Sequence, residues 1–152
     1  MHSQPIHFQQ NPSLLHDELR ENLKKEVYLT RELLSNIHQE EISLMLHDQG
    51  SVNHILQQRS SLLERLASLR SCRLQTTHKI ADLYQGSSDG LCIEITSLSG
   101  QLEALSQKIA SQLSQNRRLS EHPDAYPQSR GPYGGLQRPK KKSTVITMQI
   151  KK

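Results

Sequence analysis

Aromatic residues are almost missing from this 152-residue chain, which has four tyrosines, one phenylalanine and no tryptophan. With only 34% of residues hydrophobic, a core must be assembled from leucine, isoleucine and valine. Such a core suits narrow helix–helix seams better than a thick sandwich or a cofactor pocket. No apolar run reaches the length that crosses a bilayer, so no membrane insertion is expected. The opening stretch MHSQPIHFQQNPS has neither the basic start nor the apolar centre of a secretory signal. Cysteine is scarce as well: Cys72 and Cys92 form no CxxC unit, and a cytoplasmic chain with two ordinary thiols is the expectation.

What is present is mostly leucine, serine, glutamine and charge. The net charge of +4 is unevenly distributed. Residues 13–50 hold four basic and eight acidic groups, whereas residues 123–152 hold seven and one. The body is slightly acidic and the tail supplies the excess.

The spacing predicts a helix from Ser13 to about Asp48. Ser13 is the expected cap, and Asp17 and Glu18 the expected first-turn acids. Leu15, Leu19, Leu23 and Val27 advance by fours, and Thr30, Leu34, Ile37 and Leu44 continue the stripe with Glu41 as its polar member. Gly50 leaves two readings open, a fold-back or a kink within one rod. The lack of any proline or loop-like cluster beside it favours the rod. Residues 52–84 are the most regular part. Val52, Ile55, Arg59, Leu62, Leu66, Leu69, Arg73, Thr76, Ile80 and Leu83 step by threes and fours without a slip, and Leu56, Leu63 and Leu74 widen the stripe. The segment QGSSDG (85–90) breaks the pattern. A third stripe runs through Ile95, Leu98, Leu102, Leu105, Ile109, Leu113 and Leu119, with Asn116 on the seam and Gly100 weakening its start.

The expected fold is all-α: an elongated antiparallel helical hairpin or three-helix coiled-coil bundle over residues 13–122. It has a flexible stretch at 1–12 and a disordered Pro/Gly- and Lys-rich tail at 123–152. The helices are expected at about 13–49, 51–84 and 91–120. A single rod over 13–84 would be about 105 Å long, and a last helix of about 40 Å could not cover it. Apolar surface would be left for another chain.

Catalytic and metal chemistry find little support. The eight histidines contain no i,i+4 pair, and HQEEI is not HExxH. There is no GxSxG, no phosphate-binding glycine loop, and Cys72 lies in a leucine-rich helix where thiols are packing. No enzyme activity, cofactor or metal is expected. Arg59 and Arg73 on the seam invite pairing with the acidic first segment, Glu41 foremost, and Asn116 invites a register-setting bond across the bundle. In the tail, Lys140, Lys141 and Lys142 are adjacent rather than spread over a face, and Tyr126 and Tyr133 lie away from them. Nucleic acid is therefore not the expected partner. The run STVITMQI alternates like a short strand, and the tail reads as a basic arm for an acidic protein surface or a strip that orders on a partner.

The stretch EEISLMLHDQGSVNHILQQRSSLLERLASLRSCR (40–73) resembles the central helix of the FlgN family of flagellar and type III export chaperones, with its run LLxxLxxLxxxR. LSQNRRL (113–119) is similar to the N-x-x-L close of that family's last helix. AYPQSRGPYGG followed by STVITMQIKK is similar to its Tyr/Gly tail. The resemblance covers about residues 30–150. It implies a cytoplasmic chaperone, a monomer or weak homodimer, that holds the amphipathic C-terminal helix of a hook-associated or other type III substrate. Such a protein prevents premature assembly and delivers the substrate to the export apparatus, whose ATPase or gate is a further contact. Candidate partner-binding residues are Leu62, Leu66, Leu69, Ile80, Leu102, Leu105, Ile109, Leu113, Asn116, Leu119, Tyr126 and Tyr133. Two other classes stay open: a structural coiled-coil stalk or scaffold component of a secretion system, and a basic nucleic-acid accessory protein.

Overall fold

The computed structural model describes residues 11–84 and 93–123. Among them the chain forms three helices and no strand: α1 (Pro12–Met45), α2 (Gln49–Tyr84) and α3 (Ile93–Glu121). The expected N-terminal arm up to residue 10, the break at 85–92 and the tail beyond Pro123 lie outside the described residues.

α1 begins one step earlier than its spacing suggests. Asn11, in extended backbone, accepts a hydrogen bond from the Ser13 amide, and Pro12 occupies the first turn, where its missing N–H costs nothing. The cap is therefore Asn11 and not Ser13, and Asp17 and Glu18 fall beyond the first turn. Glu18 instead accepts a bond from the Thr76 hydroxyl, at 2.9 Å.

The rod reading is corrected. The chain folds back at Leu46–Asp48, ahead of Gly50, which lies inside α2. The Asp48 amide donates to the Ser43 carbonyl (2.9 Å) and the His47 amide to that of Leu44 (3.1 Å), the paired bonds of a Schellman cap. That cap needs a left-handed residue, usually glycine. Here His47 takes the conformation, with φ 55°. Asp48 at once caps α2, accepting from the Ser51 amide (3.0 Å) and hydroxyl (2.6 Å). The signal for the turn is thus polar capping around a non-glycine residue, so a search for glycine and proline misplaces it.

α2 runs antiparallel to α1, with Thr76 beside Glu18 at one end and Arg59 beside Glu40 at the other. α3 runs parallel to α1, placing Glu94 near Lys24 and Asn116 against Ile37 and Glu40. Both outer helices pack chiefly on α1. The central helix consequently carries two buried stripes. One includes Leu15, Leu19, Leu23, Val27, Thr30 and Ile37; the other steps through Glu26, Leu29, Leu33, Asn36 and Ser43. Leu34 and Leu44 are only half-buried, and Leu29 and Leu33 take the deeper positions. Leu15, Leu19, Leu23 and Val27 join Ile80, Ile95 and Leu98 in one cluster, while Leu29, Leu33, Ile37 and Leu66 form a second. Each fully buried aliphatic side chain contributes about 1.5–3 kcal/mol. The helices are of comparable length, about 51, 54 and 44 Å, so no excess of helix length is left uncovered.

Candidate partner-binding surface

Polar layers fix how the helices are placed on one another. The Glu26 side chain, with none of its surface exposed, meets Arg73 through two hydrogen bonds at 2.6 and 3.2 Å, and Arg70 lies 3.7 Å away. Fourteen residues further along α1, Arg59 donates to Glu40 at 2.6 Å and to the Asn36 side-chain Oδ1 at 3.0 Å, while the Asn36 side-chain amide donates to the Ile55 backbone carbonyl. Asn116 of α3 donates to Glu40 and to the Ile37 carbonyl, both at 2.8 Å. Gln112 and Gln115 both donate to Glu41. Every helix contributes to this layer. A shift of one turn would leave several buried polar groups without partners, and each such group costs about 1–3 kcal/mol. Arg59 and Arg73 do pair with the acidic first segment, but with Glu40 and Glu26; Glu41 turns to α3. The missed partners were legible as a second stripe: Asn22, Glu26, Leu29, Leu33, Asn36, Glu40 and Ser43 step by fours and threes.

The expected partner-binding residues divide in three. Leu66 and Ile80 are buried, and Leu62, Leu69, Leu102, Leu105 and Ile109 pack against the two clusters. Leu119 is half-buried, and Asn116 belongs to the polar layer. These side chains pack into the bundle's own interior. Leu113 alone is open, 39% exposed. Tyr126 and Tyr133 lie outside the described residues. Cys72, expected as packing, is exposed.

Open apolar surface lies elsewhere, and part of it is a strip on α2. Leu56, Ser60, Leu63, Ala67, Arg70 and Leu74 form a second stripe along α2, spaced like the second stripe of α1, and all six are exposed. Leu56, Leu63 and Leu74 retain 42%, 49% and 49% of their surface, over about 27 Å of axis. At the turn end the stripe borders a groove of about 670 Å³, lined on the α2 side by Val52 and Leu56 and on the α3 side by Ala110, Leu113, Ser114 and Ser120. Alanine and serine on α3 are too small to fill the space between the two outer helices. Arg117 and Glu40 give the groove one charge of each sign.

A second groove, of about 510 Å³, lies between α1 and α2 and is lined by Lys24, Lys25, Tyr28, Leu29, Arg65 and Leu69. Its basic character is partly offset. Lys24 hydrogen-bonds Glu21 at 3.3 Å and lies 3.4 Å from Glu94, and these contacts, Glu21 first, raise its pKa. A hydrogen bond to Glu32 likewise raises the Tyr28 phenol above its ordinary value.

Comparison of the chain with protein-family models, with characterised proteins and with solved structures finds no match.

Proposed function

We propose that this chain is an export chaperone that holds the amphipathic C-terminal helix of a secreted protein along α2, beside α3, and delivers it to an export apparatus. One observation carries the reading. α1 has two heptad stripes and both are buried; α2 has two, and the leucines of its second, Leu56, Leu63 and Leu74, stay 42–49% exposed among the described residues. A helix with apolar anchors at i, i+3, i+4 and i+7 matches such a strip. The secretion role itself rests on the leucine pattern and breaks quoted above from residues 40–73 and 113–119, and on the tail.

The expected affinity follows from exposure. Leu56, Leu63, Leu74 and Leu113 each have roughly half their surface left to bury, about 1 kcal/mol apiece. A partner helix contributes a similar amount, and ordering costs remove part of the sum. The remainder is a few kcal/mol, so the strip supplies binding weaker than micromolar, which favours release of the client. Serine and glutamine along the margins demand no fixed charge pattern from the client.

The test is co-expression with secreted proteins encoded beside this chain, intact and lacking their C-terminal helix. Retention that depends on the helix supports the reading. A stable homo-oligomer retaining no client would instead favour the scaffold alternative.

A further inference from the structure

We propose that this chain exchanges its α2–α3 half with a second copy, opening the His47 turn so that α1 and α2 become one continuous helix. Three observations converge. First, the turn is minimal. Only Leu46, His47 and Asp48 separate the helices, Leu46 keeps right-handed backbone (φ −85°, ψ −2°), and His47 is the one non-glycine residue with positive φ among the described residues. His47 returning to right-handed backbone, with Asp48 giving up its cap on Ser51, removes the turn that reverses the chain. Second, the segment is compatible with helix. It contains no proline, Leu44 and Val52 flank it at helical spacing, and the glycine at 50 is already helical in the folded-back form. Third, the interfaces are indifferent to which chain supplies them. The Glu26–Arg73 and Glu40–Arg59 pairs, the Asn36–Ile55 bond and both apolar clusters join α1 to α2 or α3. All of them re-form when the α2 and α3 of one copy pack on the α1 of the other. Short hinges holding strain favour this kind of exchange.

The exchanged dimer places two three-helix units end to end, joined by two antiparallel helices of about 110 Å each. It needs no new interface and leaves the Leu56–Leu63–Leu74 strip open, so it is independent of the client-binding reading. The strain at His47 decides the balance. Glycine there accepts the left-handed turn freely and disfavours the continuous helix, and alanine does the reverse. The two substitutions should differ by roughly tenfold per hinge. A dimer opens two hinges, so the dimerisation constants should differ by about a hundredfold.

The experiment refolds the full chain at about 10 µM and about 1 mM, a range that spans the effective concentration of a short hinge. It then measures mass by light scattering and length by small-angle X-ray scattering. Gly50→Ala serves as the control, since residue 50 is helical in both forms and its Cβ would meet only Asp48 Oδ1 at 3.5 Å. The expected result is a dimer whose share rises with concentration, increases in His47→Ala, falls in His47→Gly and is unmoved in Gly50→Ala. The helical body of that dimer should be about twice the monomer's length. Monomer in every variant at the higher concentration overturns the proposal. So does a dimer no longer than the monomer, or one indifferent to residue 47.

Discussion

Glu26 is fully buried, and its charge is tolerable because Arg73 meets it with two hydrogen bonds and Arg70 stands close by. Removing one partner is costly because the other charge stays in a dry seam. Arg73→Ala should lose about 3 kcal/mol in urea unfolding, and the double substitution Glu26→Leu with Arg73→Met should recover most of that loss. If Arg73→Ala is neutral, Arg70 alone satisfies the carboxylate. Asp48 gives a pH signature at the same scale. The Ser51 hydroxyl and then the Ser51 amide hold its pKa below the ordinary 3.8. A lowered carboxylate pKa stabilises the fold above the unfolded value, and that contribution disappears as pH falls through the folded one. Melting curves of the parent and Asp48→Asn should therefore differ in a pH-dependent way only below about pH 4, the parent losing its advantage as acid is added.

At the scale of the helix, the outcome was set by which stripes find cover. The helical character of the α2 and α3 segments, and the leucines that line their seams, were legible from the three-four spacing, because burial imposes that period directly. The place of the turn was not, since it depends on one left-handed histidine and a shared aspartate cap and not on glycine or proline. The partners of the arginines were legible in type and hidden in identity, because heptad spacing gives a face and not a neighbour. The candidate partner surface shifted for the same reason. Leu66 and Ile80 lie on the regular stripe and were absorbed inside, while Leu56 and Leu63, which only widened it, remain exposed. Helix propensity adds a further expectation. A Cβ at Gly100 meets nothing within 4 Å, so Gly100→Ala should stabilise α3 by about 0.5–1 kcal/mol. Thermal melting checks this, and a neutral or lower midpoint would mean that α3 is not limiting.

At the scale of the whole molecule, three helices build the interior, and among the described residues the second heptad stripe of α2 stays about half exposed. Polar layers at Glu26 and Glu40 lock the helices in place, so a partner need not remodel the core to bind. The small side chains of α3 leave a groove next to the strip, where a fourth helix would find both leucines and room. The most direct measurement is calorimetric titration of C-terminal peptides from neighbouring secreted proteins into the parent chain and into Leu56→Glu/Leu63→Glu. The expected result is saturable binding to the parent at about a hundred micromolar, at least about tenfold weaker binding to the double variant, and melting temperatures within a few degrees of each other. Equal affinity for parent and variant would contradict it, as would the absence of binding by any such helix.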